Sequence, residues 1–202
     1  MEGKEIILNI IEEKIFKEGF YKTTMDELAS DLQMSKKTIY KIFPSKNDLV
    51  KEIIGRFTKR TEKTILEILH SDQNAVQKIT RWLSILSKIT TKISDKTLND
   101  LRIHFPHLWD EVDKFRTEMM TNNISKLIEQ GKREGLVKEL PTPIIMTVII
   151  SAIRSTVNPQ FIIHNNFSLM NAAQVTFQIL MYGILTEKGT KIFKKSISGI
   201  IK

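Results

Sequence analysis

Three helix starts fall within residues 24–49, TMDELASDLQMSKKTIYKIFPSKNDL, and their spacing limits what this part of the chain can become. Thr24 is followed three residues later by Glu27, the pattern of a capping box in which each side chain satisfies the other residue's backbone N–H. Ser35 opens SKKTIYKIF, which Pro44 stops, and Ser45 opens a third segment with Asp48 at the reciprocal position. Caps this close together leave room for a helix, a tight turn and a second helix of about two turns, the helix-turn-helix unit that reads DNA. The apolar positions suit that arrangement. Leu28, Ala29 and Leu32 on the first helix would face Ile39 and Ile42 on the second, with Met34 filling the turn. The small Ala29 lets two steeply crossed helices approach closely.

Charge points the same way. The chain carries a formal +8, distributed unevenly. Residues 1–32 hold 4 lysines against 8 acids, whereas residues 33–60 hold 8 Lys and Arg against 2 acids. Residues 61–187 are nearly balanced, 14 basic against 13 acidic, and residues 188–202 add 5 lysines and no acid. Positive charge therefore gathers on the presumed reading helix and its successor, where a phosphate backbone would lie.

The rest of the composition narrows the class. There is no cysteine, which removes disulfides, zinc–thiolate sites and cysteine nucleophiles together. The start MEGKEIILNIIEEKIF scatters acids through its apolar residues and lacks a small-residue cleavage site, unlike a signal peptide. No run approaches about 18 uncharged apolar residues, the length needed to span a bilayer. A soluble, cytoplasmic protein is the expectation.

Helical periodicity dominates the chain, and the fold class expected is all-α with about nine helices. The first helix covers roughly Glu2 to Glu18, with Ile7, Ile10, Ile11 and Ile15 as its apolar stripe and Gly19 as its stop. The helix begun at Ser45 continues through Leu49, Ile53 and Phe57 towards Leu69, a connector between two domains. The apparent break SDQNA at 71–75 opens another helix through Trp82, Leu86 and Ile89. A weaker stretch, 94–107, ends at Pro106, and a long amphipathic helix runs from His107 to Arg133. Thr142 reads as an N-cap with Pro143 at the first helical position, and Pro159 closes that helix. Ser168 starts the last large helix. The domains expected are a helix-turn-helix unit over 1–47 and an α-helical body over 48–202.

Residues 144–153 and 168–186 contain no charge. A surface helix keeps a polar face, so helices this apolar are buried on two sides. One side faces the chain's own core and the other fits a second copy, which predicts a homodimer through the helices at about 143–157 and 168–186.

Enzymatic alternatives find little support. His104 and His107 lie near Asp100, Asp110 and Glu111, but Pro106 interrupts any shared helix and no HExxH pattern occurs. No serine elbow, phosphate loop or dinucleotide fingerprint is present, so neither a catalytic activity, a metal nor a cofactor is expected. The tail KGTKIFKKSISGIIK spaces Ile192, Phe193, Ile197, Ile200 and Ile201 among lysines, as a membrane-surface helix would. A small helix packed on the body is the preferred reading, and a membrane partner is not expected.

With Phe16, Gly19, Phe20, Thr23, Thr24, Leu28, Ala29, Met34, Ser35, Thr38, Ile39, Tyr40, Phe43, Ser45, Lys46 and Leu49 in place, the chain resembles the TetR family of transcriptional regulators. The likeness is specific over residues 6–50, while the C-terminal part is similar in layout only. It implies a homodimer whose N-terminal heads bind double-stranded DNA and whose helical bodies bind a small-molecule effector. Most such proteins repress promoters and leave DNA when the effector binds. Gln33 departs from the pattern, standing where the family usually has glycine, and Lys37 stands where a small residue is frequent.

A two-turn helix of about 12 Å fits the major groove with its N-terminal residues nearest the base edges. Lys36, Lys37 and Thr38 are thereby candidates for base contact, and Tyr40 and Lys41 for phosphate contact. Ser35 and Thr24 cap their helices, and Thr24 and Lys46 sit at helix starts whose dipoles favour phosphate. Two symmetric heads would read a near-palindromic operator with half-sites about one DNA turn apart. In the body, Trp82, Phe105, Trp109, Phe115 and Met119 are candidates to line an effector pocket, which their character would make lipophilic.

Overall fold

The computed structural model describes residues 2–93 and 95–197. Among them eleven α-helices follow one another: α1 (Glu2–Glu18), α2 (Met25–Asp31), α3 (Lys36–Ile42), α4 (Lys46–Leu69), α5 (Ala75–Lys92), α6 (Asp95–His104), α7 (Pro106–Arg133), α8 (Thr142–Thr156), α9 (Pro159–Asn165), α10 (Leu169–Ile184) and α11 (Glu187–Ile197). The β-type pairing recorded among these residues is an isolated antiparallel bridge between Val137 and Leu185. The chain is all-α, with eleven helices where about nine were expected.

The difference has a local cause. Pro159 ends nothing, because α8 has already stopped at Thr156 and Pro159 is the first residue of α9. Its fixed φ suits that position, and the Asn158 side chain caps the helix by accepting from the Phe161 N–H at 2.9 Å. Pro106 likewise opens α7. Thr142 is not the cap foreseen for α8. Pro141 occupies that position without a side-chain bond, and the Thr142 hydroxyl instead meets Glu129 and Lys132 of α7.

Contacts divide the chain into two compact units, Met1–Arg60 with Thr91–Asp113, and Thr61–Thr90 with Lys114–Lys202. The first unit therefore extends past the three short helices to Arg60 and takes in α6.

In the first unit α1 buries Leu8, Ile11, Ile15 and Phe16, while Ile10, expected in that stripe, is exposed. Gly19 ends α1 at φ +103°, a conformation that favours glycine, and its N–H reaches the Ile15 carbonyl at 2.9 Å. Two sets of polar contacts fasten α1 to its neighbours. Arg56 of α4 bonds Asn9 at 2.7 Å and pairs with Glu5 at 2.9 Å, and Arg60 pairs with Glu12. From α6, the buried Thr97 hydroxyl donates to the Phe16 carbonyl at 3.2 Å, and Phe105 meets the Phe20 ring edge-on at 6.3 Å just beyond the helix.

The second unit is built on one apolar cluster. It joins Ile65, Val76, Ile79 and Trp82 to Ile124, Leu127 and Ile128 of α7, Ile145, Ile149 and Ile153 of α8, Phe177, Leu180 and Met181 of α10, and Phe193 of α11. The turn between α4 and α5 is held by the buried Lys78, which donates to the Leu69 carbonyl at 2.9 Å and to Gln130 at 3.3 Å. Phe193 is fully buried and Ile192 and Ile197 pack on the same cluster, so α11 lies on the body and turns its lysines outward. Ile200 and Ile201, also named in the membrane-surface reading, lie outside the described residues. No described helix is long and apolar enough to cross a membrane.

Helices α8 and α10 pack against each other, with the Thr156 and Thr176 hydroxyls 2.8 Å apart. Their other side is apolar and uncovered: Ile144, Val148, Val175, Ile179 and Tyr182 are all exposed.

Candidate nucleic-acid interface

Each short helix of the head starts on the cap its sequence indicates. The Thr24 hydroxyl accepts from the Glu27 N–H at 3.1 Å, and the Glu27 carboxylate accepts from the Thr24 N–H at 2.8 Å. The Thr24 N–H first, and then the Thr24 hydroxyl, both donating to the Glu27 carboxylate, hold its pKa below the ordinary range. Ser35 accepts from the Thr38 N–H at 3.1 Å, and Ser45 accepts from the Asp48 N–H at 3.1 Å. Helix α2 closes with the Met34 N–H on the Ala29 carbonyl (2.8 Å) and the Gln33 N–H on the Ser30 carbonyl (3.0 Å). This is the Schellman closure, and it places Gln33 at φ +53°, in the left-handed region. Leu28, Ala29 and Ile39 are buried at the α2–α3 crossing, with Leu32, Met34 and Ile42 half-buried around them.

This crossing leaves α3 with a charged outer surface. Lys36, Lys37, Thr38, Tyr40 and Lys41 are all exposed, but their side chains are not equally available. Lys36 is paired with Asp26 of α2 at 2.7 Å, which raises its pKa above the ordinary lysine value. The Thr38 and Ser35 hydroxyls share a hydrogen bond at 2.7 Å. Lys37 and Lys41 have no hydrogen bond or ion pair among the described residues. Thr24 donates its hydroxyl proton to Glu27 at 3.0 Å, so its side chain is engaged within the cap. Lys46 is partly withdrawn too. Its ammonium donates to the Tyr21 carbonyl at 2.7 Å and lies 5.8 Å from that ring's centre, and burial lowers its pKa. The other face of this corner is made by His104, whose ring stacks on Tyr21 at 4.0 Å.

Sequence reasoning did not single out Asp26, Tyr21 or His104 in this setting. An acid in the first turn of a helix is explained by the helix dipole alone, and its partner stands ten residues away across the turn.

The residues considered for an effector pocket fall in both units. Trp82, Phe115 and Met119 belong to the second, where Trp82 is buried in the apolar cluster and Met119 packs against it. Phe105 and Trp109 belong to the first, where Phe105 is buried against Phe20. Among the described residues, no group of three or more histidines and carboxylates is placed to hold a metal ion.

A capped helix, a Schellman turn and a second capped helix presenting lysines at its start define a helix-turn-helix DNA-binding protein. Residues 7–53 match the model of the bacterial regulatory proteins of the tetR family. The chain is also 22% identical over 178 residues to the uncharacterized HTH-type transcriptional regulator YvaF of Bacillus subtilis strain 168, covering 87% of this chain and 92% of that one. Its fold is shared by a transcriptional regulator of Cytophaga hutchinsonii (TM-score 0.67, 20% identity, 92% of this chain and 100% of that one). It is shared also by a Saccharomonospora viridis protein solved in complex with choline (TM-score 0.65, 18% identity, 92% and 99%). Residues 7–53 thus form a tetR-family DNA-binding domain, and the protein is a DNA-binding transcriptional regulator.

Proposed function

We propose that this protein is a cytoplasmic homodimeric repressor that reads a near-palindromic operator through α3 and leaves it when a small, mostly apolar effector occupies the body. The observation that carries the reading is the outer row of α3, where Lys37 and Lys41 stand exposed with no partner among the described residues. Lys37 and Thr38 are assigned to base edges, with Lys36 joining them once released from Asp26. Tyr40, Lys41 and the starts of α2 and α4, at Thr24 and Lys46, are assigned to phosphates, with Ser35 serving as cap.

The dimer contact is assigned to the uncovered apolar face of α8 and α10, since a patch of this kind marks an association surface. The effector is assigned to the second unit, near Trp82, Phe115 and Met119. The choline complex of the Saccharomonospora viridis protein supports small-molecule binding on this fold. Helix α4 contributes residues to both compact units and is the proposed route of coupling: an effector that binds better to one α4 position shifts the heads away from the operator geometry.

Transcription in vitro tests the repressor role. Duplexes from the organism's own promoter regions are footprinted with the purified protein, and run-off transcription from any protected promoter is then measured. Repression requires a protected site with two-fold symmetry and a transcript that falls as protein is added. An unchanged or rising transcript would overturn it. A cross-link that fixes α4 should leave DNA binding insensitive to effector, and a surviving response would exclude this route.

A further inference from the structure

We infer that Asp26 is a built-in competitor for the DNA backbone: its carboxylate occupies Lys36 in the free protein, and DNA gains that lysine only by breaking the pair. The inference rests on the DNA-reading role of the head. Lys36 is the first residue of α3 and Asp26 the second of α2, so the pair spans the turn of the reading unit at the end where both helices begin. Nζ and Oδ2 are 2.7 Å apart while the side chains stay 68% and 56% exposed. A pair this open adds little to folding. The crossing of α2 and α3 is held instead by the buried Leu28, Ala29 and Ile39.

Its consequence falls on binding. Lys37 and Lys41 carry no such partner among the described residues and are free to meet any phosphate. Lys36 meets a phosphate only after giving up a carboxylate of the same charge sign and similar reach. The exchange gains little on arbitrary DNA, and the freed carboxylate then faces the backbone. It gains more where Lys36 finds guanine O6 and N7, acceptors a carboxylate does not resemble. Asp26 thus lowers affinity for non-operator DNA more than for the operator, which is how a repulsive element sharpens discrimination.

The test compares wild type, Asp26→Asn, Lys36→Gln and the double variant. Fluorescence anisotropy reads binding to a selected operator duplex and to a scrambled one between 50 and 200 mM KCl, with melting curves confirming that each variant is folded. Asp26→Asn should bind scrambled DNA more tightly and narrow the operator-to-scrambled ratio. Its log–log salt slope should steepen by about 0.9 for each head engaged, an extra loss of about 3.5-fold across the salt range. Lys36→Gln alone removes a lysine that scrambled DNA does not engage and also unpairs the Asp26 carboxylate, so it should weaken operator binding more than scrambled binding, and most of the Asp26→Asn gain should vanish in the double variant. The Lys36→Gln result does not depend on the folding of any Asp26 variant. An unchanged slope in Asp26→Asn, a loss of scrambled binding in Lys36→Gln as large as its loss of operator binding, or a selective loss of operator binding in Asp26→Asn would each overturn the inference. The last would make Asp26 an orienting partner for Lys36. A wild-type protein that binds neither duplex would instead refute the DNA-reading role beneath it.

Discussion

Replacing Gln33 with glycine should make this protein more stable, although it removes a side chain and touches no core residue. Gln33 follows the end of α2 at φ +53°, fixed there by the Met34–Ala29 and Gln33–Ser30 hydrogen bonds of the closing turn. A side chain with a β-carbon is strained in that conformation by about 1–2 kcal/mol, and glycine is not. Glycine also loosens the unfolded chain, which takes back about 0.4–1 kcal/mol. The net gain is about 0.5–1 kcal/mol, or about 1–4 °C in melting temperature for a chain of this size. Thermal unfolding followed by circular dichroism at 222 nm would measure it, with Gln33→Ala as control. Alanine keeps the β-carbon and hence the strain, so its melting temperature should stay within about a degree of wild type. A Gln33→Gly variant that melts lower than wild type, or an alanine variant that gains as much as glycine, would refute the assignment of strain to this turn.

Other substitutions probe other parts of the molecule. Ile179 is 68% exposed on the proposed dimer face, and burying that fraction of an isoleucine on each of two subunits is worth about 2–4 kcal/mol per dimer. Ile179→Asp should therefore weaken the dimer by about 30-fold to several hundred-fold, and sedimentation equilibrium showing an unchanged dimer would exclude this face. At Gly189 an added β-carbon would strike the backbone carbonyl of Leu136, which cannot rotate away. Gly189→Ala should lose about 1–3 kcal/mol in urea unfolding through overpacking under α11, and wild-type stability would show that α11 is not seated as described. The capping-box carboxylate of Glu27 titrates below its ordinary value in the folded chain. Its contribution is complete above the ordinary carboxylate range and is lost as pH falls through that range towards the folded value. Glu27→Gln should flatten the acid limb of melting temperature against pH, and an identical limb would show that the cap does not hold that proton off.

The head was legible because its determinants are local. Thr24 with Glu27, Ser35 with Thr38 and Ser45 with Asp48 all act within three residues, a range at which sequence spacing and structural contact are nearly the same thing. The uncharged stretches behind α8 and α10 were equally plain. Prolines were harder, since the same fixed φ that ends one helix begins another. By sequence Pro159 reads as a stop, whereas its Asn158 cap makes it a start. Thr142 misled because a threonine before proline has the look of a cap, while its hydroxyl is claimed by Glu129 and Lys132 on another helix. Contacts between distant elements were out of reach altogether. Nothing in the spacing announces that Thr97 reaches the Phe16 carbonyl 81 residues away, or that Asp26 takes one of the two lysines beginning α3. Ile10 sits outside the buried row of α1 for a related reason: which side of an isoleucine-rich helix faces the core depends on what packs there.

Selection of bound duplexes from a random DNA pool, run in parallel with wild type and a Lys37→Ala, Tyr40→Ala double variant, asks most directly whether α3 reads sequence. Wild type should enrich a two-fold symmetric site and the double variant should enrich none. No enrichment by wild type, or the same site recovered by both proteins, would mean that the head is not the reader, and the body and basic α11 would have to carry the function.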